Sequence, residues 1–297
     1  MTQITLLDGS IGQELVKRSG DRATPLWSTQ VMIDHADLVG DVHCAYFSVG
    51  STIATTNTYA VHRSRLERVG LEDQMPALLE TAVAQAERAR EQHGGRIAGS
   101  LGPLLASYRP DLQPDPDDAE LKFGELVQLM APRVDLFLIE TVSSLQEAEG
   151  ALRGTDGCGK PVWLALSVMD EDGTRLRSGE PLAKVASLVQ RFQPEAVLVN
   201  CSRPEAMPAA LEILKAFGKP FGAYANGFTH ISSGFLEEFP TVDALEQRTD
   251  LSPAAYADQA MGWVEQGATI VGGCCEVGPD HIRELAQRLQ AAGHDIV

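Results

Sequence analysis

Cys274 and Cys275 stand side by side in this sequence, directly after Gly272 and Gly273, and a third cysteine, Cys201, follows Asn200 far upstream. Three thiolates are the donor set of a tetrahedral Zn²⁺ that keeps its fourth position open, the pattern of catalytic rather than structural zinc. No CxxC pair is present, so the spacing is unlike a zinc finger. Adjacent side chains on a regular strand point to opposite faces, so both members of the pair can face one ion only where the backbone turns. Gly272 and Gly273, followed by Gly278 and Pro279, permit such a turn. Small, buried, inert residues are the other reading of free cysteines, and spacing alone leaves the two open. Cys44, in a helical stretch over 34–47, reads as a core residue, and Cys158 as a loop thiol. Five cysteines, an odd number, without a basic and apolar leader at the N-terminus fit reduced thiols and a cytoplasmic location better than a disulfide framework.

The elements that must position these residues follow from the hydrophobic pattern. Short β-branched or apolar runs at 4–7, 52–56, 96–100, 135–139, 162–168, 196–199, 221–225 and 269–271 alternate with amphipathic stretches. Helices are predicted over 76–93, 117–132, 144–153, 181–192, 207–217, 253–266 and 280–292. Strict βα alternation argues for a parallel sheet covered by helices. Eight units of roughly 37 residues suit a (β/α)8 TIM barrel, whose active site lies at the C-terminal ends of the strands. A doubly wound sheet needs no eighth strand. No linker divides the chain, so residues 1–297 read as one domain.

At the predicted strand ends stand Asp8-Gly9-Ser10, Thr55-Thr56-Asn57-Thr58, the run 99–103, Glu140-Thr141, Ser167, Asn200-Cys201, Tyr224 with Asn226, and Gly272-Gly273-Cys274-Cys275. Three thiols and two carboxylates therefore converge on one mouth. Alone, Asp8 reads as a turn or N-cap residue and Glu140 as a helix-start charge. His281 follows Gly278-Pro279-Asp280 at a helix start and reads as a capping or packing residue, while His35, His62 and His230 read as surface.

Charge and length exclude several classes. With 24 Lys plus Arg against 41 Asp plus Glu, the net charge is −17, a field that repels phosphate backbones and makes nucleic acid a poor partner. Apolar runs fall far below the ~20 residues that span a bilayer, so no membrane association is expected. An acidic, thiol-bearing mouth also fits badly with a phosphate-binding barrel lyase or isomerase that would grip its ligand at Gly272-Gly273. A non-catalytic zinc-storage barrel stays open.

The segments LDGSIGQEL (7–15), PLWS (25–28), TTNTY (55–59), GSLGP (99–103), IET (139–141), VNCS (199–202) and GGCCEVGPDHI (272–282) run from the first strand to the last. In order and content they resemble the homocysteine S-methyltransferase family. The resemblance implies a Zn²⁺ held by Cys201, Cys274 and Cys275, with methyl transfer from an onium donor to the thiol of homocysteine, giving methionine. It also implies that Asp8 and Glu140 hold the amino-acid end of homocysteine, with backbone N–H groups around Gly9 and Ser10 serving its carboxylate. Glu276 departs from the family's usual Gly or Arg after the paired cysteines; it is expected to point outward and is given no role. A chain of this length is not expected to carry the folate and cobalamin modules of a cobalamin-dependent methionine synthase.

Within the resemblance, the donor turns on aromatic faces for its positive centre. Trp27 is the candidate, and Asn57 and Asn226 are candidate polar contacts. Members that use betaine carry further aromatics where this chain has Ala60 and Thr141. A smaller cage favours a sulfonium such as S-methylmethionine, with betaine as the alternative.

Overall fold

Runs of apolar residues buried on both faces form parallel strands that helices must cover. The computed structural model describes residues 2–20, 24, 26–236 and 245–297. The strands are β1 (Gln3–Leu6), β2 (Ile53–Thr55), β3 (Arg96–Leu101), β4 (Leu136–Val142), β5 (Val162–Leu166), β6 (Ala196–Asn200), β7 (Phe221–Tyr224), β8 (Ile270–Val271) and β9 (Asp295–Ile296). All pairings are parallel, and neighbours run β2-β3-β4-β5-β6-β7-β8-β1-β9. The circle closes between β1 and β2, where the Thr52 N–H donates to Leu6 O at 2.8 Å. Asp8 completes the joint: its carboxylate accepts from Thr55 N at 2.6 Å and Thr55 Oγ1 at 2.8 Å.

All eight predicted strands are present, so the (β/α)8 barrel is the fold. The two-residue β9 was not expected. It extends β1 at the N-terminal end of the barrel, pairing Gln3 with Asp295 and Ile4 with Ile296.

The helices are α1 (Ile11–Ser19), α2 (Ser28–Asp34), α3 (Ala36–Ser48), α4 (Arg63–Leu66), α5 (Met75–His93), α6 (Pro116–Met130), α7 (Leu145–Thr155), α8 (Ala186–Phe192), α9 (Met207–Lys215), α10 (Pro253–Glu265) and α11 (Pro279–Ala291). Their starts are set by local chemistry: Ser10, Asp115, Ser144 and Ser252 each accept a hydrogen bond from a first-turn N–H. The predicted helix over 181–192 begins instead as a 3₁₀ turn, Leu182–Val185.

Strand periodicity sorts the core into two layers. Leu136 and Leu138 join Trp163, Ala165, Leu198 and Tyr224 inside the barrel, while Phe137 and Ile139 pack outward against the helices. Three smaller expectations resolve here. Cys44 is half-buried against the outer core rather than within it. His281 caps as expected, its Nδ1 accepting from Gly278 N at 3.2 Å. His62 is not a surface residue: it is buried, with Nε2 2.9 Å from Tyr59 O and its ring edge-on to Phe123.

Candidate active site and metal centre

A cavity of about 180 Å³ opens at the C-terminal ends of the strands, and Asp8, Gly9, Ser10, Trp27, Asn57, Glu140, Cys201, Cys274 and Cys275 all line it. Glu140 arrives there through the period of two. Leu136 and Leu138 point into the barrel, and Glu140 is the next inward position. Thr55, Ser100 and Tyr224 share that parity on their own strands. Ser100 Oγ donates to Glu140 Oε1, and Tyr224 OH donates to Oε2 at 3.1 Å.

Beyond Glu140 the strand is irregular. The β4–β5 register shifts between Ile139 and Val142, a bulge that re-aims side chains. Thr141 takes φ 61° there, unusual for a β-branched residue. Asn200 stabilises the distortion, since Oδ1 accepts from Thr141 N at 2.9 Å and Nδ2 donates to Thr141 Oγ1 at 3.0 Å.

Asp8 and Glu140 are both buried, and among the described residues neither pairs with a Lys, Arg or His. Burial pushes Asp8 up to about 7 against the Thr55 hydrogen bonds that lower it, with the Glu140 charge adding to the rise. Burial likewise pushes Glu140 up to about 7, against Ser100 and Tyr224. Two desolvated carboxylates without a counter-charge make a floor that a ligand's ammonium would neutralise.

The thiols owe their convergence to irregular backbone. Cys201 follows β6 with φ 47°, a left-handed conformation that swings it into the cavity. Cys274 and Cys275 lie in a turn closed by Val277 N–H to Cys274 O at 3.1 Å, and its third residue, Glu276, has φ 64°. Gly272 and Gly273 do not themselves take positive φ. They are glycine because a Cβ would lie 2.5 Å from that of Leu7 and 2.2 Å from Val277 Cγ1. The expected turn is present, but crowding explains the glycines.

The three Sγ atoms lie within 4.8 Å of one another, the one such group of metal-binding side chains among the described residues. Cys201 and Cys274 are joined as a disulfide, with Cα atoms 5.7 Å apart, and Cys275 is a free thiol. The expectation that all five cysteines stay reduced is therefore corrected at this pair. Sulfurs brought close enough to share an ion are also close enough to bond to each other. Burial, then Glu276 and Glu140, pushes the Cys275 thiol up to about 12. The donor set fits a thiophilic cation once the disulfide is reduced to two thiols.

Other expectations change on contact with the structure. Ser10 N–H donates to Val277 O at 2.9 Å, and its Oγ caps α1. Asn57 donates to Ser28 O at 3.2 Å. Asn226 is buried near the thiol turn, with Oδ1 accepting from Phe228 N at 3.2 Å, and does not line the cavity. Pro25 of the PLWS segment lies outside the described residues.

Glu276 is half-buried and has a partner: it accepts from Gln13 Nε2, and Gln13 Oε1 accepts from the Trp27 indole N–H at 2.8 Å. Gln13 thus ties Trp27 to the thiol turn, a role that local residue pattern does not reveal. The aromatic lining is also richer than Ala60 and Thr141 implied. Tyr59, Tyr108, Tyr224 and Phe228 join Trp27 around the cavity, so aromatic count does not separate the donors.

A closed parallel barrel whose strand ends carry converging thiols over paired buried carboxylates defines a barrel enzyme with a cluster that could hold a metal ion. The chain belongs to the homocysteine S-methyltransferase family, whose sequence profile matches residues 5–289. It is 28% identical over 304 residues to the homocysteine S-methyltransferase of Escherichia coli, covering 96% of this chain and 95% of that protein. It is 28% identical over 309 residues to homocysteine S-methyltransferase YbgG of Bacillus subtilis, covering 95% and 93%. The metallated form of the E. coli homocysteine methyltransferase MmuM matches with a TM-score of 0.80 at 27% identity, covering 96% of each chain. Its oxidized form matches with a TM-score of 0.79, with the same identity and coverage.

Proposed function

We propose that this chain transfers a methyl group from a sulfonium donor, S-methylmethionine or a close analogue, to the thiol of homocysteine, acting on small molecules in the cytoplasm. The observation that carries this reading is the cavity itself, where three cysteine sulfurs meet above two carboxylates that pair with no Lys, Arg or His among the described residues. Reduced Cys201, Cys274 and Cys275 would hold a Zn²⁺, which when bound supplies the charge that keeps a substrate thiol deprotonated at neutral pH.

Asp8 and Glu140 bind the homocysteine ammonium, and Ser100 and Tyr224 fix the Glu140 carboxylate so that it meets that ammonium without rearranging. Trp27, held by Gln13, offers its face to the positive methyl-bearing centre. The homocysteine sulfur attacks the methyl carbon in line. Its proton has already gone to solvent, one carbon–sulfur bond forms as another breaks, and a neutral thioether leaves with the bonding pair. Such a displacement needs positioning more than acid–base help. A thioether departs more readily than the tertiary amine that betaine would release, which supports the sulfonium.

The test is methionine formation by the reduced, zinc-loaded protein with matched S-methylmethionine and betaine. A higher kcat/KM for S-methylmethionine is expected; a higher value for betaine overturns the donor assignment. No transfer from either donor, with the ion bound, overturns the reading as a whole.

A further inference from the structure

Three arginines line the cavity, Arg65, Arg68 and Arg109, and the methyl-transfer reading uses none of them. Arg65, on α4, is half-buried and lines the same cavity as Trp27 and Tyr59. Its position is fixed from one side: Nε and Nη2 donate to Pro103 O at 3.1 and 2.7 Å, and Nη2 reaches Ser107 Oγ at 3.4 Å. Ser107 also hydrogen-bonds Tyr59 OH at 2.7 Å. Nη1 makes no hydrogen bond among the described residues, and no carboxylate among them pairs with this arginine. Burial disfavours its charge, and Arg68 adds to that, while Tyr59 and Glu147 nearby act the other way. Of the other two, Arg109 pairs with Asp111 at 2.6 Å, and Arg68 donates through Nη2 to Leu105 O at 3.4 Å. A desolvated guanidinium with an open donor edge is a site for an anion, and its planar fork matches a carboxylate.

The rings give that anion a distance from the methyl-bearing centre. Trp27 and Tyr59 meet edge to face with centroids 6.0 Å apart, and the Arg65 guanidinium lies over the Tyr59 ring, 5.6 Å from its centroid. A cation over the Trp27 face thus has Arg65 one ring further along. In S-methylmethionine the carboxylate stands four bonds from the sulfonium sulfur; in betaine it stands two bonds from the nitrogen.

Building on the sulfonium reading above, we infer that Arg65 anchors the carboxylate of the methyl donor and selects onium amino acids whose carboxylate is several bonds from the positive centre. Arg65 is then a specificity-determining residue rather than a loop fastener.

The test uses the full chain, reduced and zinc-loaded, as wild type, Arg65→Gln and Arg65→Lys. Each is assayed with S-methylmethionine and with trimethylsulfonium, a donor that has no carboxylate. Arg65→Gln is expected to raise the KM for S-methylmethionine roughly tenfold to a hundredfold, the scale of a lost charge-assisted hydrogen bond. The KM values for trimethylsulfonium and homocysteine should stay within about twofold, and Arg65→Lys should recover part of the loss. A parallel loss with both donors would show a structural fastener, and a rise in the homocysteine KM alone would assign the anion to the acceptor; either overturns the inference. If the wild type transfers methyl from neither donor, the broader reading has failed. Calorimetric titration of S-methylmethionine into wild type and Arg65→Gln then decides the anchor by binding alone, equal affinities overturning it.

Discussion

The floor and the rim of the cavity are built by opposite means. The floor, Glu140 with Ser100, Thr55 and Tyr224, stands on regular strands and follows their two-residue period. The rim depends on backbone that departs from regularity. Six non-glycine residues have positive φ among the described residues, and Trp27, Tyr108, Thr141 and Cys201 among them line the cavity. Glu276 is a fifth, in the thiol turn. Each such residue costs about 1–3 kcal/mol and persists only where its surroundings hold it. Asn200 does this for Thr141, and the Gln13 bridge ties Glu276 to Trp27. The lesson is that binding charge can sit on the repeating part of a barrel, whereas convergence of several soft ligands requires breaking the repeat.

The rim should fail most completely. Cys201→Ser is expected to lower metal in the reduced protein from about one ion per chain to background, taking methyl transfer with it. Elemental analysis after anaerobic reduction reads this directly; full metal retention with full activity would remove Cys201 from the ligand set.

Breaking the floor should be graded. Glu140→Gln is expected to raise the homocysteine KM roughly tenfold to a hundredfold, a charge-assisted contact being worth about 1.5–3 kcal/mol, while metal content stays unchanged. An unaltered KM would show that the ammonium lies elsewhere.

The same carboxylates give the floor a pH signature. Asp8 and Glu140, ordinarily at 3.8 and 4.5, are raised to about 7 in the fold, and Glu147, buried in α7, rises to about 8. Between those limits the folded state retains protons that the unfolded state has released. Stability of the ligand-free protein is therefore greatest below about pH 4 on their account and falls as pH rises toward 8. Thermal unfolding across this range should show the fall, and Glu140→Gln should make it shallower; a slope identical in the variant would contradict the assignment.

Two smaller effects separate the ring from its support. Trp27→Ala is expected to raise the donor KM by the equivalent of about 0.5–2 kcal/mol. Gln13→Ala, which leaves the ring but removes its hydrogen bond, should cost about 0.5–1.5 kcal/mol. A larger loss in Gln13→Ala would place the importance in the bridge.

The eight-fold alternation made the barrel legible, because every strand is an apolar run and most of the intervening helices show their own period. It did not show β9, two residues long, or the early helices α1 and α2, which follow Asp8-Gly9-Ser10 and the PLWS segment without a long amphipathic pattern. Glu140 was legible as a strand-end carboxylate. Its partners Ser100 and Tyr224 stood at strand ends too, but hydrogen bonding between distant strands leaves no mark in local sequence. Gln13 and Arg65 were missed for the same reason, each acting across the fold, and Asn200, named at a strand end, gave no sign of its hold on Thr141. The disulfide and the Glu276–Gln13 contact depend on positive φ at non-glycine residues, which residue types do not announce. Surface placement failed for His62 because a neutral histidine is readily buried against an aromatic ring.

Asp8 has one more consequence. Its two oxygens fasten β2 to β1 through the amide and hydroxyl of Thr55, at the one joint of the cylinder where the neighbouring strands share no ladder beyond the Leu6–Thr52 contact. A residue that lines the cavity is thus also the stave joint of the barrel. An ammonium resting on that carboxylate tightens the hoop: occupancy is read out as slower amide hydrogen exchange at Thr55, with the far wall at Leu164 exchanging as before.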